Sequence, residues 1–90
     1  MSKFTLKGFI IIPEVDLETV IRELATHIDL SRREIGCLKF KVTQDKDNKY
    51  KFNVYEEFRN KDSFLKHQDR VRSSTWGAVT KNVKRYYKTE

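Results

Sequence analysis

Ninety residues with 38% hydrophobic and 36% charged side chains describe one small domain whose core is limited. The apolar content is too scattered for a membrane protein, and the net charge of +6 favours anionic contacts without choosing among them. Cys37 is the only cysteine, which excludes an intrachain disulfide and suggests a reducing, cytoplasmic setting.

Residues 4–12 are β-branched and aromatic, with apolar side chains at both parities: Phe4, Leu6, Ile10 and Ile12 against Phe9 and Ile11. That pattern predicts a central strand covered on both faces. The run Phe9-Ile10-Ile11-Ile12 is far too short to span a bilayer and is no signal peptide. Pro13 ends it, and Asp16 is placed to cap a helix. Leu17, Val20, Ile21, Leu24 and Ile28 then recur at helical spacing to about Arg33, with Gly36 as the left-handed stop. His27 reads as a surface or boundary residue of that helix.

From Cys37 to Gln44 the chain alternates, Leu38, Phe40 and Val42 on one side and Lys39, Lys41 and Thr43 on the other. The polar bridge Asp45-Lys46-Asp47-Asn48-Lys49 makes a hairpin with the next strand, Tyr50 to Phe58. Asp45, Asp47 and Glu56 have the spacing of a calcium loop, but Tyr50 stands where that loop requires glycine. Asn60 or Asp62 caps a second helix over Lys61 to Arg72, with a stripe of Phe64, Leu65, Gln68 and Val71. A short piece around Ser74 to Val79 carries Trp76, and a last strand covers about Asn82 to Thr89. The order βαββαβ predicts an α+β, ferredoxin-like antiparallel sheet with both helices on one face.

Two residues break the apolar patterns. Glu56 occupies an inward position of the Tyr50–Phe58 strand, and His67 interrupts the second helical stripe. A carboxylate and an imidazole aimed at a core are costly unless paired or used, so they meet either as a structural pair or as an acid/base site. Trp76 either walls a pocket for a planar ligand or plugs the end of the core. Cys37 has no activating neighbour in sequence and reads as a small core residue. Two histidines without metal-ligand spacing write no metal site. RNA binding on this element order would want a glycine in the third strand, and Glu56 and Glu57 stand where phosphates would approach.

Several stretches are similar to one known family. Glu34-Ile35-Gly36-Cys37-Leu38-Lys39-Phe40-Lys41-Val42-Thr43-Gln44-Asp45 resembles the "E-P-G-C-L-x-F-x-V-x-Q-D" segment of antibiotic-biosynthesis-monooxygenase domains, quinol monooxygenases among them. Val54-Tyr55-Glu56-Glu57-Phe58 followed by Ser63-Phe64-Leu65-Lys66-His67 is similar to their "Y-E-x-[FW]…A-F-x-x-H", and Ser74-Thr75-Trp76-Gly77 to their "S-x-W-G". Ile35 and Lys46 replace prolines of the family pattern, and no asparagine stands on the first strand as the haem-degrading branch would have.

The resemblance implies a homodimeric α+β barrel in which two sheets meet through their open faces. It implies a cofactor-free oxygenase that takes a small aromatic substrate, a quinol or related phenol, and O₂, with no nucleic acid or membrane as partner. Glu56 and His67 would be catalytic, with Trp76, Phe40 and Phe52 as the aromatic wall. An isomerase of a small phosphorylated metabolite in the same cavity, or a non-catalytic ligand-binding dimer, is the alternative.

Overall fold

A computed structural model describes residues 2–90. The first strand, β1 (Phe4–Ile11), leads through a single 3₁₀ turn (Glu14–Asp16) into α1 (Leu17–Arg32). The hairpin β2 (Cys37–Gln44) and β3 (Lys51–Phe58) follows, then α2 (Lys61–Arg72), the five-residue α3 (Thr75–Val79) and β4 (Lys84–Thr89). The sheet order is β2-β3-β1-β4 with every pair antiparallel. The expected ferredoxin-like α+β fold is therefore present, with β1 and β3 at the centre.

Register explains the placement of the odd carboxyl. Glu56 on β3 lies opposite Leu6 on β1 and Phe40 on β2, so it sits mid-sheet on the face that also carries Ile10, Val42, Phe52, Val54 and Phe58. The helices close over that face, burying Val20 of α1 and Phe64 of α2, and Phe58 and Phe64 meet edge to face at 5.6 Å. Burying each such side chain contributes about 1.5–3 kcal/mol, which is what holds the helices on the sheet.

Local chemistry sets the helix ends. Asn60 caps α2, its Oδ1 accepting from the Ser63 amide at 2.9 Å. Ser74 caps α3 through its Oγ, which accepts from the Gly77 amide at 3.1 Å. Gly36 has φ of +92° and turns the chain from α1 into β2. Asp16 stands at the start of α1, but its side chain makes no capping bond because the 3₁₀ turn already carries the chain into the helix.

Four expectations need correction. Ile21 is 46% exposed, since the inward face of α1 runs through Leu17, Val20, Leu24, His27, Ile28 and Ser31. Leu38 is 54% exposed because a register shift between Cys37 and Lys39 turns it out of the alternation. Leu65 is 52% exposed, and Gln68 is exposed as well, leaving Phe64, His67 and Val71 as the inward stripe of α2. The strand β1 is covered on one face only: Phe9 and Ile11 are half-buried on the open face, where Phe9 stacks on Tyr86 at 4.9 Å.

Candidate active site

The space between sheet and helices contains a cavity of about 70 Å³. Leu6, Ile10, Val42, Val54 and Val71 make its walls apolar, while Glu56, His67, His27, Arg85 and Tyr87 bring polar groups to it. Trp76 forms one wall. Glu56 and His67 are thus brought together as the sequence pattern anticipates, with His67 Nε2 at 3.9 Å from Glu56 Oε1.

The contact differs from a simple pair. The hydrogen-bonded partner of His67 is Glu34, whose Oε1 lies 2.7 Å from Nδ1. Arg70 Nε donates to the other oxygen of Glu34, and Arg70 Nη2 donates to Ser31 Oγ at 3.1 Å. His67 is 3% exposed and is packed by Phe58 at 5.1 Å and Phe40 at 5.3 Å between ring centroids. Glu56 Oε1 has no hydrogen-bond partner among the described residues.

Burial pushes the Glu56 carboxyl up to about 8, the nearby charge of Glu34 adding to the effect. Burial pulls His67 below the usual histidine value, opposed by the charge and hydrogen bond of Glu34. At neutral pH the cavity therefore holds a protonated carboxyl beside a neutral imidazole, the two forms needed to give and to take a proton.

His27 corrects the expectation of a surface residue. It is 5% exposed and lies flat on Trp76, with centroids 4.3 Å apart and planes 5° from parallel. Its Nδ1 has no partner among the described residues, and burial lowers its pKa to about 3, with His67, Arg70 and Arg85 adding to the shift. The signal lay in the sequence: 20, 24, 27 and 31 step by four, three and four, so His27 belongs to the inward stripe. Glu34 carries no such signal. It lies beyond the end of α1 and reaches His67 only through tertiary packing.

Phe40 is 1% exposed and supports His67 rather than lining the cavity; Phe52 is buried in the core away from the lining. Cys37 is half-buried, and burial raises its thiol pKa, as expected of an unactivated side chain. Among the described residues no helix is long and apolar enough to cross a membrane.

An antiparallel sheet in the order β2-β3-β1-β4 with helices over one face is the ferredoxin-like arrangement of small α+β domains. The family model for antibiotic biosynthesis monooxygenase matches residues 5–78, and the chain belongs to that family. No curated protein sequence matches it. A candidate antibiotic biosynthesis monooxygenase from Nitrosomonas europaea superposes with a TM-score of 0.81 at 17% identity, covering 98% of this chain and 86% of that one. A Bacteroides thetaiotaomicron protein described as a possible oxidoreductase gives 0.78 at 18% identity, covering 99% and 94%. A Deinococcus radiodurans candidate monooxygenase gives 0.74 at 15%, covering 99% and 90%. At these identities the likeness is one of fold.

Proposed function

We propose that the protein is a cofactor-independent monooxygenase that acts on a quinol or related phenol, as a cytoplasmic homodimer joined through the open sheet faces. The observation that carries this reading is the neutral His67, with Nε2 turned toward an unpaired, protonated Glu56 in the cavity between sheet and helices. His67 takes the proton of a ring hydroxyl, and the phenolate passes one electron to O₂. Recombination of the ring radical with superoxide forms a C–O bond. The resulting peroxide anion takes a proton, from Glu56 or from the imidazolium. Its O–O bond then breaks as the ring C–H proton leaves, giving a hydroxylated quinone and water. The ring supplies both electrons that reduce the second oxygen atom, so the balance needs no outside reductant.

Trp76, stacked on His27, offers the flat wall against which a ring would lie, and Phe40 stiffens His67 from behind. The volume bounds the substrate. About 70 Å³ is roughly half of the ~150 Å³ that admits benzene, so the cavity takes the reacting edge of one ring. A phosphorylated substrate has less support. Arg85 is held by the Thr80 and Val83 carbonyls and Arg70 by Glu34 and Ser31, and no lysine lines the cavity.

Oxygen uptake measured over a panel of quinols tests the proposal. Glu56→Gln and His67→Ala are each expected to lower turnover by about a hundredfold or more, the usual worth of a general acid or base. Unchanged uptake in both variants sinks the assignment.

A further inference from the structure

His67 lies between two glutamates, and the structure treats them differently. Glu56 faces Nε2 from the middle of the sheet, is 7% exposed, and has an oxygen without any partner among the described residues. Glu34 faces Nδ1 from outside, with its side chain 16% exposed along a surface groove shared with Arg59, Ser63, Lys66 and Arg70. His67 borders both this groove and the inner cavity. The imidazole is therefore the partition between the two, each ring nitrogen facing its own side.

The outer side dictates what the inner side presents. Arg70 has no acceptor, so it donates to one oxygen of Glu34 and ion-pairs with that carboxylate at the groove. An ionised carboxylate can only accept, so the nitrogen at 2.7 Å from its other oxygen must carry the hydrogen. A neutral imidazole has one N–H, and Nε2 is then a bare lone pair. We propose that Glu34, anchored by Arg70, is a positioning residue that fixes His67 as the Nδ1–H tautomer, so that its basic nitrogen always faces the cavity. Glu34 also stabilises the imidazolium formed when Nε2 takes a proton, without itself touching the substrate. The role in turnover rests on the oxygenase reading; the tautomer does not.

Nitrogen NMR of the labelled protein without substrate, at pH 7.5, reads the tautomer directly. His67 is expected to show a pyrrole-type Nδ1 and a pyridine-type Nε2. Glu34→Gln is the discriminating variant. Arg70 claims the amide oxygen, which leaves the NH₂ facing Nδ1, so the tautomer switches to Nε2–H. In quinol turnover the same variant is expected to lower kcat by roughly a hundredfold or more with KM within about twofold, because the base is blocked while the cavity is unchanged. An Nε2–H tautomer in the wild type overturns the proposal, and so does an unchanged Nδ1–H in Glu34→Gln; the first needs no variant to fold. An Nδ1–H tautomer that switches in the variant, in a protein that consumes no oxygen with any quinol, upholds the role of Glu34 and removes the oxygenase reading alone.

Discussion

Replacing Glu56 with glutamine makes protein stability report directly on the buried carboxyl. In the unfolded chain Glu56 titrates at 4.5, whereas burial beside Glu34 moves the folded value to about 8. Below pH 4.5 the side chain is protonated in both states and pH has no leverage. Between the two values folding must take up a proton, so stability falls as pH rises, by up to about 1.4 kcal/mol per pH unit. Above pH 8 the loss levels off. Glutamine keeps the shape and takes no proton in either state. The stability of Glu56→Gln minus that of the wild type should therefore grow by about 2–3 kcal/mol between pH 6 and pH 8. With a urea m-value of about 1 kcal/mol/M, the midpoints separate by roughly a further 2–3 M over that window. His27 and His67, both lowered, destabilise the fold only as pH drops below about 6.5, and they do so in both proteins, so they cancel in the difference. Any offset at pH 5 reflects the packing of the amide. A difference that stays constant from pH 6 to pH 8 refutes the reasoning, because it means that Glu56 folds as a carboxylate.

Trp76→Ala removes the wall and the His27 stack together, and is expected to cost about 3–5 kcal/mol in urea denaturation. Trp76 is the only tryptophan, so a quinol that enters the cavity should change its fluorescence, and a saturating titration without such a change argues against binding there. Gly36→Ala should destabilise by about 1–3 kcal/mol, since it puts a Cβ on a φ of +92° and into the Ser63 side chain; an unaffected melting temperature would contradict that backbone reading. On the open sheet face, Lys51 lies over Phe9 at 4.4 Å and Phe9 stacks on Tyr86, while Glu57 is held by Tyr55 and by Lys3 at 3.3 Å. Light scattering should give a dimer at micromolar concentration and a monomer for Phe9→Glu; a wild-type monomer removes the proposed interface.

Much of the fold was legible because its signals are local. The alternation in β3 places Glu56 inward whichever strands flank it, and Asn60 caps α2 from its own side chain. Gly36 marks the turn into β2, where only glycine takes the backbone angle easily, although α1 itself already ends at Arg32 with its cap at Arg33. The misreadings have local causes too. One residue of register shift exposes Leu38, and the choice between Ile21 and His27 as the inward member of α1 turns on a stripe that includes a polar Ser31.

The candidate site divides along the same line. That one carboxyl and one imidazole interrupt apolar faces is written in the chain, because strand and helix periodicities assign each residue a side before any neighbour is known. What those groups meet is set by the packing of distant elements. Glu34 comes from the turn after α1, Arg70 from α2 and Glu56 from β3, so their convergence on His67 depends on how the helices cross the sheet. The difference between the two glutamates follows from that crossing. Depth keeps the proton on Glu56, whereas Glu34 meets an arginine at a surface groove, and no spacing along the chain encodes that contrast.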